Sequence, residues 1–223
     1  MGHIATKKLK TNIGKKSSVR TGLQAEKSAN TRTTIIEAAI QCILKYGYAN
    51  TTTLRIAEEA GLSRGAMNHH FSNRLTVMQS AVTHLLEKRI KAFKRASSDL
   101  PPVGNNRVRT ALMAYWKQSN NPLNIVLNEM TSAARTDKEL ASILIPARRK
   151  FHKEWIKVAV VQFPEWQTDP KKFNIALHLT QNLLDGMFTN RLAGDLDEET
   201  ANKLLDYLVD ELRTLSPVNI EKN

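Results

Sequence analysis

The sequence predicts an all-α protein. Apolar side chains recur at intervals of three and four residues through most of the 223 residues, and proline, glycine and asparagine separate the periodic segments. Two short helical segments joined by a glycine turn occupy the stretch from Thr51 to Phe71. No run of 18 apolar residues occurs, so we expect no membrane-spanning helix. The length suits one large domain or two modest ones.

The first 28 residues hold seven Lys and Arg side chains against one Glu, without a sustained apolar period. We therefore expect residues 1–28 to form a basic, irregular arm, which could enter a DNA minor groove. The segment lacks the apolar core of a secretory signal peptide. Gly2 and His3 could be cloning residues or native sequence, and the pattern does not distinguish the two.

The first predicted helix runs from about Thr31 to Tyr46, with a capping box formed by Thr34 and Glu37 at its start. Gly47 is placed to end it. The predicted buried face consists of Ile35, Ala39, Cys42, Ile43 and Tyr46. As the only cysteine, Cys42 excludes an intrachain disulfide and a cysteine-based zinc site, and its position indicates a small inert core residue.

Two more short helices follow, one starting at Thr51 or Thr52 and one running from Ser63 or Arg64 to about Phe71. Gly61 suits the corner between them, because glycine tolerates a positive φ and allows close helix approach. Ser63 is placed to cap the second of these helices. This arrangement is typical of a helix-turn-helix.

Polar side chains on the last of these helices indicate what the module binds. Arg64, Asn68, His69 and His70 can all hydrogen-bond to phosphates or base edges. Of the net charge of +12, nine units lie in the first 89 residues. Charge alone is more typical of a solvated surface, but beside a helix-turn-helix it favours a DNA partner. His69 and His70 point in different directions on a helix, so we expect no metal site there.

The remaining chain is helical throughout in this interpretation. A fourth helix, from about residue 73 to 97, is stopped by Leu100-Pro101-Pro102 and links residues 29–75 to a second domain, residues 98–216, with a tail at 217–223. Pro146 is expected to break or kink one helix of the second domain. The helices predicted there are Asn106–Ser119, Pro122–Arg135, Lys138–Phe163, Pro170–Leu192 and Asp197–Leu215.

Residues 31–89 resemble the N-terminal domain of the TetR family of transcriptional regulators. The matching residues are Ala38-Ala39, Gly47-Tyr48, Thr51-Thr52, Ile56-Ala57, Ala60-Gly61-Leu62-Ser63-Arg64-Gly65, His70-Phe71 and Leu75. Asn68 and Arg74 stand where the family usually has Tyr and Lys. Asn68 could pair with adenine, whereas Arg74 keeps a cation where the start of the fourth helix would hold a phosphate.

The resemblance implies a set of DNA contacts. His70 stands where the family contacts phosphate, but its apolar-face position suits a structural histidine equally well. The implied DNA-binding residues are Thr52, Thr53, Arg55, Ser63, Arg64, Gly65, Asn68, His69, His70 and Arg74.

The resemblance also implies that the second domain binds a small-molecule effector and forms a homodimer. Arg148, Arg149, Lys150 and Lys153 could meet an acidic ligand, although a solvated helix face is the commoner explanation. Taken singly, each candidate effector contact is more typical of ordinary core; the candidates are Met113, Trp116, Met130, Phe151, Trp155 and His178. Candidate dimer contacts are Leu179, Leu183, Gly186, Met187, Leu204, Leu208 and Leu212.

Taken together, we expect a cytoplasmic repressor that binds a pseudo-palindromic operator on double-stranded DNA as a dimer and is released by an effector. The alternative is a DNA-binding architectural protein without an effector. An enzyme is the least favoured class, because the sequence shows no nucleophile–base grouping, metal-ligand spacing or glycine-rich phosphate loop. We accordingly expect no cofactor.

Overall fold

The computed structural model describes residues 7–98, 100–101 and 105–217. These residues contain helices and no strand, which confirms the predicted all-α fold. The helices are α1 (Lys7–Tyr46), α2 (Thr53–Glu59), α3 (Arg64–His70), α4 (Arg74–Ser98), α5 (Asn105–Ser119), α6 (Pro122–Ala133), α7 (Lys138–Gln162), a 3₁₀ turn (Pro164–Thr168), α8 (Pro170–Ala193) and α9 (Glu198–Leu215). The described chain divides into two compact units between Ala81 and Val82, within α4.

The first unit is built by α1, α2, α3 and the start of α4, which pack their apolar faces together. Ile35, Cys42, Ile56 and Met67 are completely buried, as the periodicity of each helix predicts. Phe71 closes the core at the end of α3. Burying the large side chains Ile35, Ile56, Met67 and Phe71 is the main stabilising contribution to a unit of this size, at roughly 1.5–3 kcal/mol for each.

The start of α1 differs from the prediction of an irregular arm, because the helix already begins at Lys7. The segment contains no proline, and each turn added to a helix anchored by packing gains hydrogen bonds without a new nucleation cost. Thr34 is therefore inside the helix, where its hydroxyl donates to the Asn30 carbonyl at 3.0 Å. The predicted capping box with Glu37 is wrong. Residues 1–6, with Gly2 and His3, lie outside the described residues.

Tyr46 is a second correction in α1. The helical period placed it on the buried face, but 47% of the residue is exposed. Its ring instead lies under the Arg55 guanidinium, 5.1 Å from the ring centroid. The helix ends here as predicted, since Gly47 has a φ of 80° and its N–H donates to the Ile43 carbonyl at 2.9 Å.

The second unit contains α5 to α9 and the last part of α4, and its predicted helix ends fall within two residues of the observed ones. Helix α7 continues through Pro146, so the predicted break does not occur. The core is rich in aromatic and aliphatic side chains, among them Leu112, Tyr115, Trp116, Trp155, Trp166, Leu184, Met187, Phe188, Leu205, Leu208 and Leu212. No helix within the described ranges is long and apolar enough to cross a membrane.

Candidate nucleic-acid interface

Side-chain caps fix the starts of α2 and α3. The Thr52 hydroxyl accepts from the Arg55 backbone N–H at 3.3 Å, and the Ser63 hydroxyl accepts from the Ala66 N–H at 3.1 Å. Gly61 turns the corner with a φ of 66°, a left-handed conformation that other residues rarely adopt. Each helix therefore begins at a capping residue that the sequence predicted.

Helix α3 has one buried face and one exposed face. Met67 is completely buried and anchors the helix to the first unit's core. Arg64, Gly65, Asn68 and His69 are exposed, whereas His70 is half-buried. The exposed face thus carries guanidinium, amide and imidazole groups, which can donate or accept hydrogen bonds at a groove edge or a phosphate.

Arg74, predicted to hold a phosphate, has partners inside the protein. Its Nε donates to the buried Thr51 carbonyl at 2.7 Å and its Nη2 donates to the Tyr48 carbonyl at 2.6 Å. The guanidinium also lies 4.2 Å from the centroid of the Tyr48 ring. Arg74 therefore fastens the loop between α1 and α2 to the start of α4, a structural role that the sequence did not reveal.

Arg32 has a structural role that its position in the sequence does not indicate. Its Nη1 donates to the His70 carbonyl at 2.5 Å, and its guanidinium lies 4.2 Å from the Phe71 ring centroid. This contact satisfies a carbonyl at the end of α3, which no residue within the helix can reach. Periodicity could not find it, because the two partners are 38 residues apart in the chain.

Arg55 is similarly engaged, since its Nη1 donates to the Asn50 carbonyl at 2.7 Å. Among the predicted DNA-contacting arginines, Arg64 is the one whose guanidinium has no such partner within the described chain. Thr52 is exposed and Thr53 half-buried at the start of α2. The predicted set thus divides into an open group on α2 and α3 and two arginines, Arg55 and Arg74, that brace the unit.

Two side-chain contacts join α1 to α2, one from a neutral thiol and one an ion pair. Burial raises the pKa of the Cys42 thiol, which is completely buried and donates to the Arg55 carbonyl at 3.5 Å. Lys45 and Glu59 join α1 to α2 at 2.6 Å, and this hydrogen bond raises the pKa of Lys45. Cys42 is therefore the buried thiol that the sequence predicted. No cluster of three potential metal ligands occurs within the described residues.

The six predicted effector contacts do not form one site. Trp155 lines an apolar cavity of about 80 Å³ together with Tyr115 and Phe93. Phe151 and His178 line a different, more polar cleft of about 450 Å³. The other three, Met113, Trp116 and Met130, line neither. Residue size and polarity identified candidates, but helix packing decides which of them face a common space.

The predicted dimer contacts are also divided by the structure. Leu179 is 39% exposed and Gly186 is exposed, whereas Leu183 and Leu204 are half-buried. The prediction is wrong for Met187, Leu208 and Leu212, whose side chains are buried in this chain's own core. Both groups occupy apolar positions of α8 and α9, so the sequence pattern could not separate them.

Comparisons with known proteins agree with this geometry. Residues 35–80 match the family model of the bacterial regulatory proteins of the tetR family. An uncharacterised HTH-type transcriptional regulator of Mycobacterium tuberculosis is 26% identical over 164 residues, covering 73% of this chain and 83% of that protein. The HTH-type transcriptional repressor AcnR of Corynebacterium diphtheriae is 23% identical over 192 residues, covering 83% and 93%.

Among solved structures, a TetR family transcription regulator from Marinobacter aquaeolei has the same fold, with a TM-score of 0.62 at 13% identity over 86% of this chain and 97% of that one. Its likeness extends across both units, whereas the family model covers α1 from Ile35 to the start of α4. Residues 35–80 therefore form a domain of the tetR family of bacterial regulatory proteins, and the chain has the fold of a TetR family transcription regulator.

Proposed function

We propose that this protein is a transcriptional repressor that binds a pseudo-palindromic operator as a homodimer and is released by a small-molecule effector. The observation that carries the proposal is the exposed face of α3, where Arg64, Gly65, Asn68 and His69 stand on a helix anchored by buried Met67. Such a helix can enter a major groove while its other face holds the domain together.

In this proposal α3 reads bases and α2 positions the domain. Arg64 can donate two hydrogen bonds to guanine, and Asn68 can pair with adenine in the same bidentate manner. Gly65 has no side chain, so the backbone can approach the DNA closely. Thr52 and Thr53 lie at the start of α2, where hydroxyls and backbone N–H groups suit phosphate contacts. Operator sequence would therefore be set mainly by Arg64 and Asn68.

Exposed apolar residues on α8 and α9 support the homodimer. Ile175 is 56% exposed and Tyr207 is 65% exposed, and Leu179 and Gly186 share the outer face of α8 with Ile175. Large exposed apolar side chains in a row are typical of an interface that another chain covers. A two-fold dimer through this face would present two α3 helices, as a pseudo-palindromic site requires.

The effector part of the proposal rests on the two cavities of the second unit. A ligand that favours a DNA-incompetent conformation must bind that conformation more tightly, by the same factor by which it weakens DNA binding. A protein that acts on chromosomal DNA in this way would work in the cytoplasm. The architectural alternative, a DNA-binding protein without an effector, would bind DNA with little sequence preference and no response to metabolites.

The first test is a genomic-fragment selection with purified protein at physiological salt, with and without metabolite extract. We expect a recovered pseudo-palindrome that is lost when extract is added. Arg64→Ala should weaken binding to that sequence by about 1–3 kcal/mol, because a bidentate base contact is removed. Broad binding that ignores the extract would instead support the architectural alternative, and an equal loss on all DNA would make Arg64 a phosphate contact.

A second test concerns the dimer. Gly186→Arg should convert the dimer to monomers in sedimentation velocity, because a long charged side chain would replace hydrogen at the proposed interface. Nothing in the described chain lies within 4 Å of a Cβ added at this position, so the monomer should still fold. Gly186→Ala is the matched control, expected to keep the dimer and to gain up to about 1 kcal/mol of helix stability. A dimeric Gly186→Arg protein would contradict this interface.

A further inference from the structure

The polar cleft of the second unit is lined by residues of four helices. Helix α4 provides Leu86 and Arg89, α6 provides Leu127, and the remaining residues come from α7 and α8. The α7 residues are Arg148, Arg149, Phe151, His152 and Lys153, and the α8 residues are His178, Gln181, Asn182 and Asp185. Cationic groups from two separate helices, α4 and α7, thus converge on one cleft of about 450 Å³.

Positive charge predominates in this lining. Arg89, Arg148, Arg149 and Lys153 are cationic, and among the described residues that line the cleft Asp185 is the one carboxylate. None of the four cations forms an ion pair within the described part of the chain. Other exposed cations, such as Arg109 and Lys203, do pair with carboxylates. The cleft is therefore an unneutralised cationic concavity rather than a salt-bridged surface.

Neutral groups hold the two half-buried arginines in place. Arg89 donates to the Tyr115 hydroxyl at 3.2 Å and lies 5.3 Å from the Phe151 ring centroid. Arg148 donates to the Thr131 hydroxyl at 2.7 Å. These contacts orient both guanidinium groups without neutralising them, and partial burial makes an unpaired charge costly. An anion that accepted their remaining N–H groups would recover that cost.

A small polar annex adjoins the same two arginines. Its volume is about 20 Å³, which is enough for one water molecule or one ligand oxygen, and it shares Arg89, Arg148, Leu127 and Asp185 with the cleft. Ser119 also lines it, is 2% exposed, and its hydroxyl has no hydrogen-bond partner among the described residues. A buried hydroxyl without a partner is rare in a folded protein and favours an oxygen-bearing ligand at this position.

We infer that this cleft binds a small organic anion with at least two negative charges, carried by carboxylate or phosphate groups. This inference rests on the proposed function, because it assigns the chemical class of the effector. Planar guanidinium groups bind both kinds of oxyanion in a bidentate manner, and the apolar side chains of Leu86, Leu127 and Phe151 can cover the carbon skeleton. Helix α4, which contributes Arg89, runs unbroken from Arg74 at the DNA-binding unit.

Calorimetric titration of the full-length protein with isophthalate and with pyrophosphate tests this inference and separates the carboxylate from the phosphate source. The neutral isophthalamide is the ligand control. We expect saturable binding of at least one anion, weakened about tenfold or more in Arg148→Met, since one charge-assisted contact is lost. Thr131 keeps a partner in this variant, because its hydroxyl also donates to the Leu127 carbonyl at 2.6 Å.

Lys150→Met is the matched control variant. It removes one positive charge from the same exposed stretch of α7, but Lys150 does not line the cleft. We expect it to weaken anion binding by less than about threefold, the effect of a screened surface charge. Equal losses in the two variants, equal binding of isophthalamide, or no saturable binding of either anion at millimolar concentration would overturn the inference.

Operator binding, measured in parallel, separates this inference from the proposed function. Anion binding that is sensitive to Arg148→Met, with operator affinity unchanged, would support the anion site and contradict its role as the effector site. Release of the operator by metabolite extract, with no binding of either anion, would support the proposed function and overturn the anion site.

Discussion

The arginines that brace the first unit and those that line the polar cleft have different kinds of hydrogen-bond partner. In the first unit, Arg32, Arg55 and Arg74 donate to backbone carbonyls and lie over aromatic rings. In the second, Arg89 and Arg148 donate to hydroxyls and face a cleft. An arginine bound to a loop carbonyl stabilises the fold, whereas one held by a neutral hydroxyl at a cleft keeps donors available for a ligand. Residue type alone does not distinguish these roles.

Among the substitutions that test this comparison, Arg74→Ala is expected to have the largest effect on stability. The substitution removes the donor to the Thr51 carbonyl, on a residue that is completely buried, and the contact with the Tyr48 ring. We expect the free energy of unfolding to fall by about 2–3 kcal/mol, since a buried acceptor loses a charged partner. Urea denaturation followed by circular dichroism at 222 nm, the wavelength of helical signal, measures this change.

Arg74→Lys is the control for that experiment. It keeps the positive charge but cannot reproduce the planar set of donors, so an intermediate loss of stability is expected. A protein with unchanged stability but weakened DNA binding in Arg74→Ala would reverse the assignment, and the phosphate contact predicted from the sequence would then be the main role of this side chain.

A much smaller effect on the free energy of unfolding is expected for Arg148→Met. Removing an unneutralised, half-buried charge while keeping a flexible apolar stem should change the free energy of unfolding by less than about 0.5 kcal/mol, or raise it. The same denaturation experiment measures it, with Lys150→Met as a surface control. A loss as large as that expected for Arg74→Ala would mean that Arg148 braces the second unit, and the contrast between the two groups of arginines would fail.

The stability measured in both experiments depends on the buffer pH, because His152 titrates differently in the folded and unfolded chain. Burial and the neighbouring His178 lower the pKa of His152 below its usual 6.5. The folded protein then binds fewer protons at this ring than the unfolded chain does, so stability declines as the pH falls below about 6.5 and the unfolded chain takes up the proton. Measurements of Arg74 and Arg148 variants should therefore be compared at one pH above that value.

Much of the fold followed from local signals. Gly47 and Gly61 occupy positive-φ positions, Thr52 and Ser63 cap their helices, and the helix ends of the second unit lie where proline, aspartate and glycine predicted them. These features are decided within a few residues of chain, by backbone sterics and short hydrogen bonds. Where the signal was weak, the structure differs from the prediction: α1 already begins at Lys7, and α7 continues through Pro146.

The candidate DNA-binding face could also be predicted from the sequence, because the helical period separates exposed from buried positions even on a helix as short as α3. The internal partners of Arg32 and Arg74 were not, since they lie 38, 23 and 26 residues away in the chain. Likewise, the apolar pattern of α8 predicted that Met187 and Leu179 would both be buried. It could not predict that this chain's own core covers Met187 and leaves Leu179 exposed.

The sequence by itself determined most helix ends, the caps at Thr52 and Ser63, and the helix-turn-helix that matches the tetR family model, because each depends on residues that are neighbours in the chain. Only the tertiary structure decided that Arg148 and Arg89 share a cleft, that Ser119 is left with a buried, unpaired hydroxyl, and that Arg74 braces a loop. Such contacts depend on how helices pack, and packing joins residues whose separation in the sequence carries no periodic signal.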